Sequence, residues 1–269
     1  MRFLALSILL CTLTACEGTF GWVYDEYDND DDNDNENNIV IKESTVTGQF
    51  YLDASDWKMW YYLDLPATIE QIRKDASHNI KEDIVALPIP FEPTGDVETE
   101  RGDDKRDGQY TYYFDVFNEG IANNHFSSFL PTSAQPEPEH WTIAIHRNNV
   151  RTNRLATYET MLTDIDEVTE DMCKSITAWQ EDEWSENEVW DDQSTMLSCY
   201  VPCQGIKVNR VLSSWLTMDI PPMPPAFSMN NHVMLLRMTD GTYAALQLMD
   251  YMNSTGKKCC LTIKYRYPI

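Results

Sequence analysis

Met223 stands among four prolines in the run Pro221-Pro222-Met223-Pro224-Pro225. Proline has no backbone N–H to give a sheet ladder, so this run cannot lie inside a sheet and is expected to form a stiff loop. A stiff loop that presents one thioether offers a soft, uncharged and pre-ordered ligand for a transition-metal centre. The other methionines carry less information, because ten of the twelve lie after position 160. Met218, Met234, Met238, Met249 and Met252 fall in apolar, strand-like runs, where a thioether is expected to fill core space.

Other chemistries are weaker. No Gly-x-Ser-x-Gly elbow, phosphate loop or His-Glu-x-x-His occurs, and the Asp and Glu residues show no spacing that marks an acid/base pair, so an enzyme is not expected. Cys173, Cys199, Cys203, Cys259 and Cys260 are an odd set, for which one or two disulfides are expected in an oxidising compartment. A zinc site from Cys199, Cys203 and the Cys259-Cys260 pair is disfavoured, since adjacent strand residues point to opposite faces. His78, His125, His140 and His232 have no partner at metal-ligand spacing, so no metal site built from them is expected. The Asp30, Asp32, Asp34 spacing lacks the Gly and the terminal Glu of a calcium loop.

The N-terminus sets the compartment. Arg2, an apolar run Phe3–Leu13 and the ending Leu13-Thr14-Ala15-Cys16 read as a secretory signal over residues 1–15, too short to span a membrane. The Leu-Thr-Ala-Cys tetrapeptide resembles a bacterial lipobox, which makes Cys16 the expected lipidation site and the outer membrane the expected location, facing the cell surface. Asp25–Asn38 holds eight acidic residues and almost no apolar ones, so residues 16–38 are expected to be a solvated tether. Residues 39–269 remain as one domain with enough apolar content for a sizeable core. A formal net charge of −24 excludes nucleic acid as a partner, because phosphate binding needs a basic face.

Periodicity gives an all-β domain. Alternation from Cys259 to Tyr267 predicts a half-buried closing strand, and His232–Met238 and Thr242–Met249, joined by Asp240-Gly241, predict a hairpin before it, so the three form a meander. Trp57–Leu65, Tyr110–Phe117, His140–His146 and Ile206–Leu212 predict further strands from their aromatic and β-branched content. In His140–His146, alternation sets Trp141, Ile143 and Ile145 against Thr142, Ala144 and His146. Thr68–Ile80 and Ile165–Ala178 are expected to hold at most short helices. Pro88–Gly108 and the acidic run Gln180–Asp192 are expected to be loops.

The run from Trp141 to Asn153, with Trp141, Ala144, His146, Arg147, Arg151 and Asn153 at its marked positions, resembles the signature strand-turn-strand of the HmuY-like haem-binding lipoproteins of Bacteroidetes. Trp215-Leu216, the proline segment 221–225, Asn231-His232-Val233, Arg237, Asp240-Gly241 and Lys264–Pro268 follow in that family's order, and Trp57–Leu65 resembles its first core strand. The resemblance implies a single all-β domain that captures haem between two axial side chains and passes it to an outer-membrane receptor. Some members use two His and others two Met. The second His position falls on Ile220 here, so a bis-His site is not supported, and the family places His146 as a structural residue.

The bis-Met pattern instead selects Met223 and, on a second loop between two polar segments, Met196, with Trp215 and Tyr200 as possible walls of the haem pocket. Axial haem iron accepts Met ligands. The alternative is a non-enzymatic surface lipoprotein that has lost haem binding and takes a glycan or other ligand through exposed Trp and Tyr.

Overall fold

The computed structural model describes residues 44–100, 109–115, 125–192, 200–219 and 224–269. In chain order the elements are β1 (Val46–Asp53), β2 (Met59–Leu63), α1 (Leu65–Lys74), β3 (Val85–Pro88), β4 (Tyr110–Asp115), β5 (His125–Pro131), β6 (Ile143–His146), β7 (Asn149–Thr152) and β8 (Ala156–Glu159). They continue with α2 (Glu170–Ser175), β9 (Glu183–Trp190), β10 (Tyr200–Val208), α3 (Arg210–Ser213), β11 (Leu216–Asp219), β12 (Ala226–Met229), β13 (Val233–Arg237), β14 (Tyr243–Met252) and β15 (Lys258–Tyr267). The fold is all-β, as expected. Residues Glu43–Ile269 form one compact unit. Among the described residues no helix is long and apolar enough to cross a membrane.

Four antiparallel sheets make up the domain: β1-β15-β14-β13-β8, β5-β4-β10-β9, β3-β2-β6-β7 and the hairpin β11-β12. The predicted meander is β13-β14-β15. The β3-β2-β6-β7 sheet is the middle layer, and alternation along it feeds two cores. Leu63, Ile143 and Ile145 face the five-stranded sheet and pack with Leu52, Leu246, Leu261 and Ile263. Trp60, Tyr62 and Ala144 face the other way, onto Val189, Ile206 and Val208 of β9 and β10. Trp141 joins this second set, edge-on to Tyr62 at 5.2 Å, rather than the Ile143 face expected for it. It precedes the strand, so alternation does not govern it.

Several sequence expectations shift. The first core strand stops at Leu63, because the Asp64 side chain accepts from the Ala67 N–H and caps α1, with Pro66 in its first turn. That helix begins three residues earlier than Thr68 and ends at Lys74. Ile165–Ala178 contains a 3-10 turn, Ile165–Glu167, and the short α2. Val85–Pro88, at the head of the expected 88–108 loop, pairs with β2 as an edge strand. Gln180–Asp192, expected as a loop, carries the eight-residue β9, paired to β10. The expected strand Ile206–Leu212 ends at Val208, where Asn209 caps α3 by accepting from the Leu212 N–H at 2.9 Å.

Cys173, Cys203, Cys259 and Cys260 are buried free thiols, so the expected disulfides do not form among them, and Cys199 lies outside the described residues. The reason is placement: Cys173, Cys203 and Cys259 sit in three different core clusters. Met234 and Met238 fill the core as expected, whereas Met249 and Met252 are 44% and 38% exposed on β14.

Gly205 sits at the register shift between Gln204 and Ile206, where β10 bulges against β9. A Cβ there would meet the Tyr112 ring and, at 2.9 Å, the Trp184 indole. Gly205→Ala is therefore expected to cost about 1–3 kcal/mol by overpacking, read as a lower midpoint in urea with an unchanged slope.

Candidate functional site

A cleft of about 470 Å³ opens where β9, α3, β11 and the β6–β7 turn converge. Trp190, Leu216 and Met218 supply apolar wall, and Asn148, Ser213, Ser214 and Thr217 supply polar groups. Met218 is half-buried, not core filler: it packs onto an aromatic cluster that includes Tyr112, Phe114 and Trp190. Arg210 stands at the margin, its guanidinium bridging Glu183 at 3.0 Å and Glu188 at 3.2 Å.

Each wall is fixed by polar contacts to the middle sheet. His146, fully buried, directs one ring nitrogen at the Met59 carbonyl (3.0 Å) and the other at the Trp190 carbonyl (2.8 Å), tying β2 to the end of β9. Burial pushes its pKa down to about 4, so the imidazole is neutral at neutral pH. The neutral ring donates its one N–H to one of these carbonyls, and with both nitrogens turned to backbone oxygens in the core it does not face the cleft.

Next to it, Arg147 opens the two-residue β6–β7 turn at φ 55°. Its guanidinium lies 3.5 Å from the centroid of Trp57, which stacks on Trp190, and it donates to the Ser55 carbonyl. Arg151 lies over Trp141 at 5.1 Å and pairs with Glu137 at 2.7 Å. The Trp141–Asn153 motif is thus a clamp on the aromatic layer: its Trp141, His146, Arg147 and Arg151 brace the cleft from behind, while Asn148 and Asn149 line it.

The α3 wall is held from below by Asp182. Its carboxylate accepts from the Thr152 N–H (2.7 Å), the Thr152 hydroxyl (2.8 Å) and the Asn209 amide (2.9 Å). Asn209 in turn caps α3 and accepts from Thr157 at 2.9 Å. Asp182 falls in the run that the sequence reads as a loop, and Asn209 in the run that it reads as a strand, so neither was marked out by sequence.

The expected site residues are distributed unevenly. Met196 and Met223 lie outside the described residues, as do Ile220 and Cys16. The chain enters segment 193–199 just past Trp190, and segment 220–223 directly after Asp219, and both Trp190 and Asp219 line the cleft. Tyr200, half exposed, starts β10 at the far end of segment 193–199. Trp215 is fully buried in the main core, so it backs the cleft and does not face it; its Nε1 has no hydrogen-bond partner. Leu216, Met218 and Asn149 are wall residues that sequence reasoning missed, because nothing local distinguishes them from core positions. Among the described residues no cluster of three His, Cys, Asp or Glu stands ready for a metal ion.

Comparison with known proteins agrees with this architecture. Solved structures similar to the chain include a lipoprotein-assigned protein of Bacteroides fragilis (27% identity, 83% of this chain and 90% of that one, TM-score 0.55). Another is a Bacteroides vulgatus protein assigned as HmuY-like and haem-binding (26% identity, 83% and 92%, TM-score 0.52). The apo HmuY analogue of Tannerella forsythia, at 19% identity, shares the fold over 84% of this chain and 98% of its own, with TM-score 0.56. No curated protein sequence matches the chain. The HmuY protein family matches residues 56–265, most of the chain, and the chain belongs to that family.

Proposed function

We propose that this protein binds haem as cargo in the cleft beside Trp190 and Met218, with Met196 and Met223 as axial ligands to the iron. The observation that carries the reading is where β11 leaves the cleft: Asp219 lines it directly before residue 220, and Trp190, at the end of β9, lines it three residues before 193. A cleft of about 470 Å³ lies in the size range of small-molecule sites, about 300–1,000 Å³. Its mix of indole, Leu and Met with a few hydroxyls and amides suits a flat apolar macrocycle with polar edges. Two thioethers need no proton to leave, and their softness favours ferrous over ferric iron. Lipidation at Cys16, an outer-membrane location and hand-over to an outer-membrane receptor complete the proposal. A glycan platform finds less support, since the described tryptophans are buried or half-buried and none is exposed.

Titration of the full chain with haem under reducing conditions is expected to give a saturable, redox-sensitive Soret band that persists at pH 5. Met223→Ala and Met196→Ala are each expected to weaken binding by about tenfold or more and to change the ferrous spectrum. Absence of a saturable spectral change sinks the haem reading, and unchanged spectra in both variants sink the ligand assignment alone.

A further inference from the structure

Across the β5-β4-β10-β9 sheet from the cleft lies a second cavity, of about 190 Å³. Consecutive residues divide between the two, since Trp190 lines the cleft and Asp191 lines the cavity. The Asp191 backbone is fixed by its N–H to the Pro202 carbonyl at 3.1 Å, which carries the β9–β10 ladder one residue further. Its carboxylate is buried, the residue being only 5% exposed. The groups that favour its charge are Lys58 and its own backbone N–H.

Lys58 also lines the cavity, with its Nζ 5.5 Å from the Phe91 ring centroid. From β4, Thr111 and Tyr113 enter the cavity on the same face of their strand. Thr111 is 3% exposed, and its Oγ1 has no hydrogen-bond partner. A buried hydroxyl without a partner is costly, and its sharing one cavity with the buried Asp191 carboxylate is a sign that something else completes the site.

Burial and then Asp192 push the Asp191 pKa up to about 7, and burial followed by the same two aspartates raises that of Tyr113. The ligating groups present are oxygens alone, with neither imidazole nor thiolate, which selects hard cations over zinc or copper. The volume holds one ion with several waters, each of which occupies roughly 30 Å³.

We propose that this cavity is a binding site for a hard divalent cation of the calcium class, held by the Asp191 and Asp192 carboxylates and the Thr111 hydroxyl. Waters complete the shell, and the Tyr113 hydroxyl is placed to bond one of them. The site is independent of the haem reading, being on the other side of the sheet.

The test uses the full chain stripped with EDTA and titrated with calcium chloride by calorimetry at pH 8, with thermal unfolding in parallel. The expected result is one saturable site with Kd of about 10⁻⁴–10⁻³ M, as in extracellular calcium modules, above a weak background from the acidic segment 25–38. At about 10 mM calcium the midpoint of unfolding is expected to rise by several degrees. Asp191→Asn is expected to abolish the saturable phase and the thermal shift while leaving the background. Thr111→Val is expected to weaken the site by about tenfold. The proposal is overturned if the wild type shows no saturable phase, or if Asp191→Asn, still unfolding cooperatively, responds to calcium as the wild type does.

Discussion

Asp182→Ala is expected to lower the folding free energy by about 3–5 kcal/mol and the unfolding midpoint by about 10 °C. The substitution leaves three donors without an acceptor: the Thr152 N–H, the Thr152 hydroxyl and the Asn209 amide. Each orphaned buried group costs about 1–3 kcal/mol, and water entering the space left by the carboxylate recovers part of that. The damage is directed at the cleft. Asn209 loses the contact that orients its cap on α3, and α3 carries Arg210 and Ser213 into the wall. Asp182→Asn keeps one acceptor, so about half the loss is expected. Chemical denaturation of the three proteins at pH 7 measures it. A loss under about 1 kcal/mol for Asp182→Ala means that α3 is held by its apolar contacts alone.

The all-β class was legible because it rests on local signals. The Cys259–Tyr267 alternation, the Asp240-Gly241 turn and the aromatic runs each require only the period of a strand or the backbone freedom of glycine, which has φ 88° at Gly241. What stayed hidden depends on layers. β9 reads as a charged loop because Glu183, Glu186 and Glu188 interrupt its apolar residues, and Glu183 and Glu188 meet Arg210 of α3, a partner that no window of sequence displays. β6 shows no simple alternation of polarity, since it lies in the middle layer and is buried on both faces.

For the site, the proline loop around Met223 and the motif from Trp141 could be singled out by residue type. The roles of the motif residues could not, because His146 bonds carbonyls 87 and 44 residues away in sequence. Asp191 escaped for the same reason: the cavity it lines is shared with Pro202, Tyr113 and Phe91, from three separate segments.

His146 and Asp191 titrate in opposite senses, and removing Asp191 is expected to expose that opposition as a large change in how stability depends on pH. His146 is held near pKa 4 in the fold against about 6.5 in the unfolded chain. As pH falls from 6.5 to 4 the unfolded state takes up the proton first, so this group withdraws about 3 kcal/mol of stability across that window. Asp191 is held near pKa 7 against 3.8. Here the native state binds the proton first, so as pH rises from about 4 to 7 the group withdraws about 4 kcal/mol.

Between pH 4 and 6.5 the two contributions largely cancel in the wild type. In Asp191→Asn only the His146 contribution remains, and the variant is expected to lose about 3 kcal/mol more than the wild type's own change on going from pH 7 to 4. In EDTA at pH 8 it is expected to be more stable than the wild type by up to about 4 kcal/mol, with the two converging near pH 4. Urea unfolding across pH 4–8 reads the difference. Parallel curves would mean that the Asp191 carboxylate is as well solvated in the fold as in the open chain, whereas a gap at pH 8 that closes on adding calcium would mean that the cation offsets the burial of the Asp191 carboxylate.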